Sequence, residues 1–542
     1  MYDRHSLLRQ VTHMNHSKQT SPPTSGEGVQ KYQVHNSLVS YYLLAMFTIF
    51  PLFLSNQYAN SRHDKYYLFL FLSGAMVIGT LISYVLNRHE QKLAGGAEPF
   101  FRPIGAVDAA ALCFFVFAVI SAAASPYFAE TVNAEVARNN GLLLLLAYTL
   151  VYLCLSRMYV YKDYVIAAYL VFSGIVALLT IINFFYIDPI GIFDGYSEKI
   201  AEDFGSTIGN KNTIAAFMAL FTPASVMTSV VSEKRWMRML GRVSLVFAYA
   251  AALCANSGSV ILGLAVAIPI MAAFSARERG YLKRFCLAMT ILFASGWLLR
   301  LFSLLMGDRQ KGFEFIQNFL VYHPLTLIPL ALFALLTLLL SFLPQGERPY
   351  PARLLPAILF SLTVVGVLAL IGAMIHFTVF DTVSELGSFD RLLRFDDRWG
   401  THRGFMWIHS LEEYAKFDVF RKLFGAGPDM AIKVLEPYFA ELYSRFGDGY
   451  TDCAHNEYIN YLITQGALGL LSYLVMLSGV CVRAYRRAKI NPMGLVFISA
   501  ILCYAVQATV NLYTPIVTPL LFLFIAMTES MNRQTPLKSN NA

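Results

Sequence analysis

Residues Asp452–Leu470 read DCAHNEYINYLITQGALGL. A polar head, with His455, Asn456 and Glu457 in a row, runs straight into an apolar segment that continues to Val482. Apolar runs of about 20 residues are long enough to cross the hydrocarbon core of a bilayer as a helix. The polar head therefore stands at the lip of a membrane span. Its meaning depends on which side that lip faces and on what else gathers there.

The rest of the chain has the same character. Of its 542 residues 56% are hydrophobic and only 14% are charged, against about 25% charged in soluble domains. The expected fold class is an all-α polytopic integral membrane protein. Hydropathy places roughly fourteen transmembrane helices. They are expected at Leu38–Ser55, Tyr66–Leu86, Val107–Ala124, Gly141–Leu155, Tyr164–Tyr186, Thr213–Val231, Val243–Cys254 and Val260–Phe274. The series continues with Phe285–Met306, Pro324–Leu343, Leu354–Phe380, Tyr458–Val482, Gly494–Val510 and Thr514–Thr528. The two segments around CANSGSV are unusually short.

Basic residues settle the orientation. Arg and Lys gather in alternate loops, EKRWMRMLGR, ARERGYLKR and RAYRRAK, whereas IDPIGIFDGYSEKIAEDFG on the opposite side is acidic. The positive-inside rule then puts both termini in the cytoplasm and the His455 lip outside. The formal charge of +8 reflects this topology and is weak evidence for a nucleic-acid partner. The chain divides into a polar tail, 1–36, expected to be disordered; a bundle, 37–380; a large outer loop, 381–457; three C-terminal helices, 458–530; and a short tail, 531–542. Seven cysteines are scattered, and Cys453 alone lies clearly in an outer loop, so no disulfide framework is implied. No Walker or dinucleotide fingerprint is present.

Within the outer loop, Leu392, Phe395 and Trp399 recur near helical spacing beside a basic stripe of Arg391, Arg394 and Arg398. That pattern reads as an interfacial helix. The stripe either anchors lipid headgroups, partly neutralised by Asp396 and Asp397, or receives a phosphate-bearing lipid. Arg403 opens HRGFMWIHSLEEYAKF, a helical pattern. It offers either a planar fork to a phosphate or a salt bridge to Glu412 or Glu413. LFGAGPDM ends that helix in a tight turn. Asp448, Asp452 and His455 then precede the helix in which Gly466 and Gly469 permit close packing. A histidine at such a lip is either a hydrogen-bonded interfacial residue or a base for a hydroxyl. On the same side, Gly209, Asn210, Lys211 and Asn212 open a membrane helix, either as an anion site or as an ordinary cap with a snorkelling lysine.

These pieces together, GNKNTIAAF, HRGFMWIHSL, LFGAGPDM and AHNEYINYLITQGALGLLSYL, resemble the O-antigen ligase / O-antigen polymerase-like family of bacterial membrane glycosyltransferases. The resemblance implies a C-type glycosyltransferase fold in the cytoplasmic membrane of a bacterium. It implies an undecaprenyl-pyrophosphate-linked glycan as donor and a sugar, lipid core, protein or wall polymer as acceptor, with no metal and no cofactor. By motif, His455 would activate the acceptor hydroxyl and Arg403 would bind the pyrophosphate. Lys211, Asn210, Arg398, Asn456 and Arg300 are the candidate substrate-binding residues around them. The family often carries an arginine after the serine of the turn here written NSGSVIL, where this chain has Val260. Lys211 or Arg300 are the candidates to replace it, and Arg300 is an ionisable residue within a predicted span.

A good leaving group in the donor makes a nucleotide site unnecessary, and cations at the departing pyrophosphate plus a base at the acceptor lower the barrier. Ligase and polymerase share this chemistry and differ in acceptor. The reading from another class is a transporter or lipid-linked-glycan flippase, which should place polar residues near the bilayer midplane on broken helices. Here the polar chemistry collects at the outer lip.

Overall fold

The computed structural model describes residues 33–57, 60–93, 104–342, 353–380, 387, 390–447 and 449–534. Most of the expected disordered tail and the end of the C-terminal one lie outside these residues, as does Asp448. Ten helices are long and apolar enough to cross a membrane. Three shorter apolar helices and the last helix, Thr518–Gln534, bring the described set to the fourteen expected from hydropathy.

In chain order the helices begin with α1 (Gln33–Leu52), α2 (Ser61–Leu93), α3 (Ala106–Ala124), α4 (Phe128–Asn133), α5 (Leu142–Met158), α6 (Asp163–Phe184) and α7 (Glu198–Asp203). A two-stranded antiparallel hairpin, Phe204–Gly205 with Gly209–Asn210, leads into α8 (Lys211–Val231). Next come α9 (Arg235–Cys254), α10 (Gly258–Ser275), α11 (Arg279–Met306), α12 (Phe315–Tyr322), α13 (Leu327–Phe342) and α14 (Leu354–Val379). The segment before the last three spans holds α15 (Asp390–Leu393), α16 (Trp399–Lys416), α17 (Val419–Phe424), α18 (Ala431–Leu435) and α19 (Phe439–Phe446). The chain closes with α20 (Glu457–Arg487), α21 (Gly494–Gln507) and α22 (Thr518–Gln534).

The helices flanking CANSGSV are longer than hydropathy indicated, because α9 begins among the basic residues at Arg235 and carries them for two turns. The core is built around α8, whose residues from Ile214 to Val231 are all buried. Between helices in a bilayer, association rests on close packing, so small residues mark the tightest approaches. A Cβ on Gly241 of α9 would lie 2.8 Å from the Ser229 nitrogen of α8, and one on Gly263 of α10 would lie 2.8 Å from the Cys503 carbonyl of α21. Helices α13 and α14 are almost bare on the bundle's rim.

The glycines of LFGAGPDM and TQGALG serve each other. Helix α20 breaks at Gly466, where φ is 72° and ψ −177°, a region open essentially to glycine alone. The break strips the Ile463 and Thr464 carbonyls of helical partners, and a buried carbonyl must be satisfied. Ala426 and Gly427 donate their N–H groups to those two oxygens at 3.0 Å each, and Ser121 Oγ donates to Thr464 O at 2.7 Å. The approach is so close that a Cβ on Gly425 or Gly466 would fall 2.3 Å from the opposing backbone. Gly466 thus breaks its helix, where simple close packing was expected. The tight turn meets α20, so its closeness is spent on protein. Next to it, the Asp429 carboxylate accepts the N–H groups of Arg138 and Asn140, both at 2.9 Å. This pins the segment before α20 to the turn that opens α5.

Candidate functional site

The lip helix starts because Asn456 caps it: its Oδ1 accepts from Tyr458 N at 3.0 Å and Ile459 N at 3.1 Å. That cap divides the polar head in two. Glu457 turns inward, fully buried, and accepts from Tyr473 Oη at 2.5 Å and Tyr504 Oη at 3.1 Å. His455 stays outside with a left-handed φ of 48°, half-buried, its ring nitrogens without a hydrogen-bond partner among the described residues. The carboxylate of the motif is structural, and the imidazole is left available.

Around the ring stand Asp452, Cys453, Arg138 and Arg403. Arg138 Nε donates to Asp452 Oδ2 at 2.8 Å. Thr451, which precedes Asp452, donates to the sulfur of Met406 at 3.1 Å. Met406 lies three residues beyond Arg403 on the same face of α16, which brings the Arg403 turn to the His455 segment. Burial, reinforced by the Arg138 and Arg403 charges and opposed by Asp452, pulls the His455 pKa below its ordinary value. The imidazole is therefore neutral near pH 7, the form able to take a proton. Burial works to raise the Asp452 carboxyl, but the charge and hydrogen bond of Arg138 hold it below the carboxylate range. Burial pushes the Cys453 thiol up to about 12 and the Asp429 carboxyl up to about 7.

The donor atoms of Asp452, Cys453 and His455 lie within 4.8 Å of one another, a spread compatible with a metal ion. The charges around them oppose a cation: two guanidiniums act on this cluster, and one already occupies Asp452. Electrostatically the site suits an anion.

Arg403 is set by strain. Gly400, Thr401 and His402 all take left-handed angles, with φ of 61°, 63° and 65°, and Arg403 follows as the chain enters the right-handed part of α16. Two of the three are not glycine, which costs free energy. Gly404 is required just beyond, since a Cβ there would lie 1.8 Å from the Asp396 carbonyl. Glu412 and Glu413 pair instead with His409 and Lys416, which removes the surface-salt-bridge alternative for Arg403. Its Nη2 reaches Asn212 Oδ1 at 3.5 Å, an oxygen also held by Ser257 Oγ at 2.8 Å. Asn511 Nδ2 secures the Asn212 carbonyl at 2.8 Å.

Other expected site residues have other work. Lys211 is neutralised by Glu314 at 2.9 Å and Asp203 at 3.2 Å, although it stands next to Asn212. Asn210 spends its side-chain oxygen capping α8 on Asn212 N. Arg300 stacks over Trp297, 4.5 Å from the ring centroid. Arg398 is exposed and makes no side-chain contact with the His455 cluster among the described residues. The expected interfacial helix is only the four residues of α15; Phe395, Trp399 and Trp407 cluster because the chain folds back, Trp399 Nε1 donating to Leu392 O at 3.1 Å.

Residues 319–474, which contain Arg403, the glycine turn and His455, match the family described as O-Antigen ligase. Over this stretch the chain is similar to that family. No curated protein matches it. The O-antigen ligase-like stretch supports glycosyltransferase activity of the ligase/polymerase type and a glycan or lipid-linked substrate in the membrane. It omits Arg138, Asn212 and Asn511, which the tertiary structure brings to its edge. Of these, Arg138 had a legible signal: an arginine followed by two asparagines in a loop on the side that is otherwise poor in basic residues.

Proposed function

We propose that this protein transfers a glycan from undecaprenyl pyrophosphate to an acceptor hydroxyl on the outer face of the cytoplasmic membrane, with His455 as general base and Arg403 binding the pyrophosphate. The observation that carries the reading is the His455 imidazole, without a hydrogen-bond partner among the described residues and in one cluster with the Arg403 guanidinium, within the O-antigen ligase-like stretch. The acceptor is a sugar, lipid core, protein or wall polymer, and the same site serves a ligase or a polymerase.

In the reaction the acceptor oxygen attacks the anomeric carbon and its proton passes to the His455 imidazole. The bond from that carbon to the phosphate oxygen breaks, and undecaprenyl pyrophosphate leaves with the electron pair. A single displacement inverts the anomeric centre. Arg403 meets the charge that develops on the leaving group, where a desolvated donor is most effective. Asn212, held by Ser257 and Asn511 and next to the ion-paired Lys211, orients that arginine. The step needs no metal in this proposal. The outward assignment is supported by the basic runs that start α9 and α11 and end α20, since each lies at the helix end opposite the His455 lip.

The test is transfer by the purified chain, reconstituted with a lipid-linked oligosaccharide and an acceptor. His455→Ala should lower the rate by about 10²–10⁴-fold at unchanged protein abundance, and EDTA should leave the wild-type rate intact. Full activity in the variant rejects His455 as base. In a deletion strain, precursor build-up with long chains missing from the surface identifies a ligase, and shortened chains identify a polymerase.

A further inference from the structure

The family's second arginine is replaced by Val260, which is fully buried in α10. Neither substitute considered from the sequence is free to act, since Lys211 carries two carboxylates and Arg300 lies on Trp297. A different guanidinium, that of Arg138, acts on the His455 ring together with Arg403. We propose that Arg138 and Arg403 form a two-cation cleft beside His455 that takes the diphosphate group of the lipid-linked donor, Arg138 supplying the charge missing at Val260. The inference rests on the glycan-transfer reading and adds to it a residue outside the matched stretch.

Arg138 is built to present its fork. Its backbone N–H is fixed to Asp429 Oδ2 at 2.9 Å and its Nε to Asp452 Oδ2 at 2.8 Å. Both terminal nitrogens, with four N–H donors, have no hydrogen-bond partner among the described residues. The side chain is 26% exposed, so those donors are open to a ligand. Arg403 is similarly underused, its terminal nitrogens making a single 3.5 Å contact, to a neutral amide, among the described residues.

The charge count agrees. Two guanidiniums, Arg138 and Arg403, and one carboxylate, Asp452, act on the imidazole, and burial keeps the Cys453 thiol protonated. Glu314, which also acts on Arg403, is ion-paired with Lys211, and Asp429, which also acts on Arg138, has its carboxyl pushed up to about 7. The carboxyl of Asp429 accepts two backbone amides behind Arg138. A half-buried cluster left with excess positive charge and unspent planar forks is costly by itself, and a diphosphate, with oxygens on two adjacent phosphorus centres, satisfies both arginines at once. The Arg138 strut also makes this cleft depend on the glycine interlock, because Asp429 follows Gly427 and Pro428 directly.

Calorimetric titration of the full chain in nanodiscs tests this, using inorganic phosphate, inorganic pyrophosphate and undecaprenyl pyrophosphate as probes. Wild type should bind both pyrophosphates and prefer them to phosphate. Arg138→Gln should weaken both by about 10- to 100-fold, with partial recovery in Arg138→Lys. Asp452→Asn removes the carboxylate charge from the cleft but leaves an amide oxygen to accept from the Arg138 Nε, so the fork stays presented and binding should stay equal or tighten. If Arg138 only braced Asp452, both variants would lose affinity alike, and that result overturns the inference. Should Arg138→Gln not fold, loss of pyrophosphate binding in Asp452→Asn is decisive by itself against it. Phosphate bound as tightly as pyrophosphate overturns the two-cation form. Wild type binding no pyrophosphate species sinks the glycan-transfer reading first; full affinity in a folded Arg138→Gln sinks only the part given to Arg138.

Discussion

Gly466→Ala is the substitution whose consequence follows most directly from the geometry. An alanine at φ 72°, ψ −177° bears a backbone penalty of about 1–3 kcal/mol. Its Cβ would also lie 2.3 Å from the Leu423 carbonyl carbon, which forces the Leu423–Gly427 turn away from α20. That movement breaks the bonds from Ala426 and Gly427 to Ile463 and Thr464, each worth about 0.5–1.5 kcal/mol. Together the docked turn loses about 2–6 kcal/mol. At 1.4 kcal/mol per decade, amide exchange at Ala426 and Gly427 should quicken at least about thirty-fold. Hydrogen exchange read by mass spectrometry on the purified chain measures it. Gly174→Ala serves as the control, because a Cβ there has nothing within 4 Å in the middle of a helix and should be neutral or slightly stabilising. Glycan transfer should fall with the protection, since the same turn carries Asp429 and, through it, Arg138. Wild-type protection of both amides in Gly466→Ala would refute the interlock.

Two further outcomes concern the site. A base must be neutral, so kcat/KM should fall as pH drops through the His455 pKa, which burial and the Arg138 and Arg403 charges set below the ordinary value against the pull of Asp452; the acid limb should lie below about pH 6.5 and move upward in Arg138→Gln. The Cys453 thiol, pushed up to about 12, contributes no limb there, and a wild-type limb above the ordinary histidine value contradicts the arrangement. Arg403→Lys should lose about tenfold or more in donor affinity, because a point charge cannot reproduce a planar fork; unchanged affinity in a titration with lipid-linked donor would count against its role.

Local sequence was a good guide wherever one physical requirement acts on neighbouring residues. Lipid demands long apolar runs, so the spans and their number were legible. Asn210 and Asn456 stand where helix starts need a side-chain acceptor, and both do cap a helix. His455 and Arg403 stand out in the sequence because their chemistry is conspicuous at the start of an apolar run and the start of an amphipathic one.

Only the tertiary structure decided how these groups are used. The bond between Arg138 and Asp452 spans 314 positions, and the one between Asn511 and Asn212 spans 299; no local pattern encodes such a partner. The same holds for Lys211, whose carboxylates neutralise it, for Glu457, which turns from the crevice to two tyrosines, and for Gly466, whose left-handed angle is needed only because another backbone comes to within contact there. Hydropathy is a property of a segment and survives without its surroundings. Charge, protonation and hydrogen-bond satisfaction are properties of a neighbourhood, and the neighbourhood exists only once distant parts of the chain have packed together.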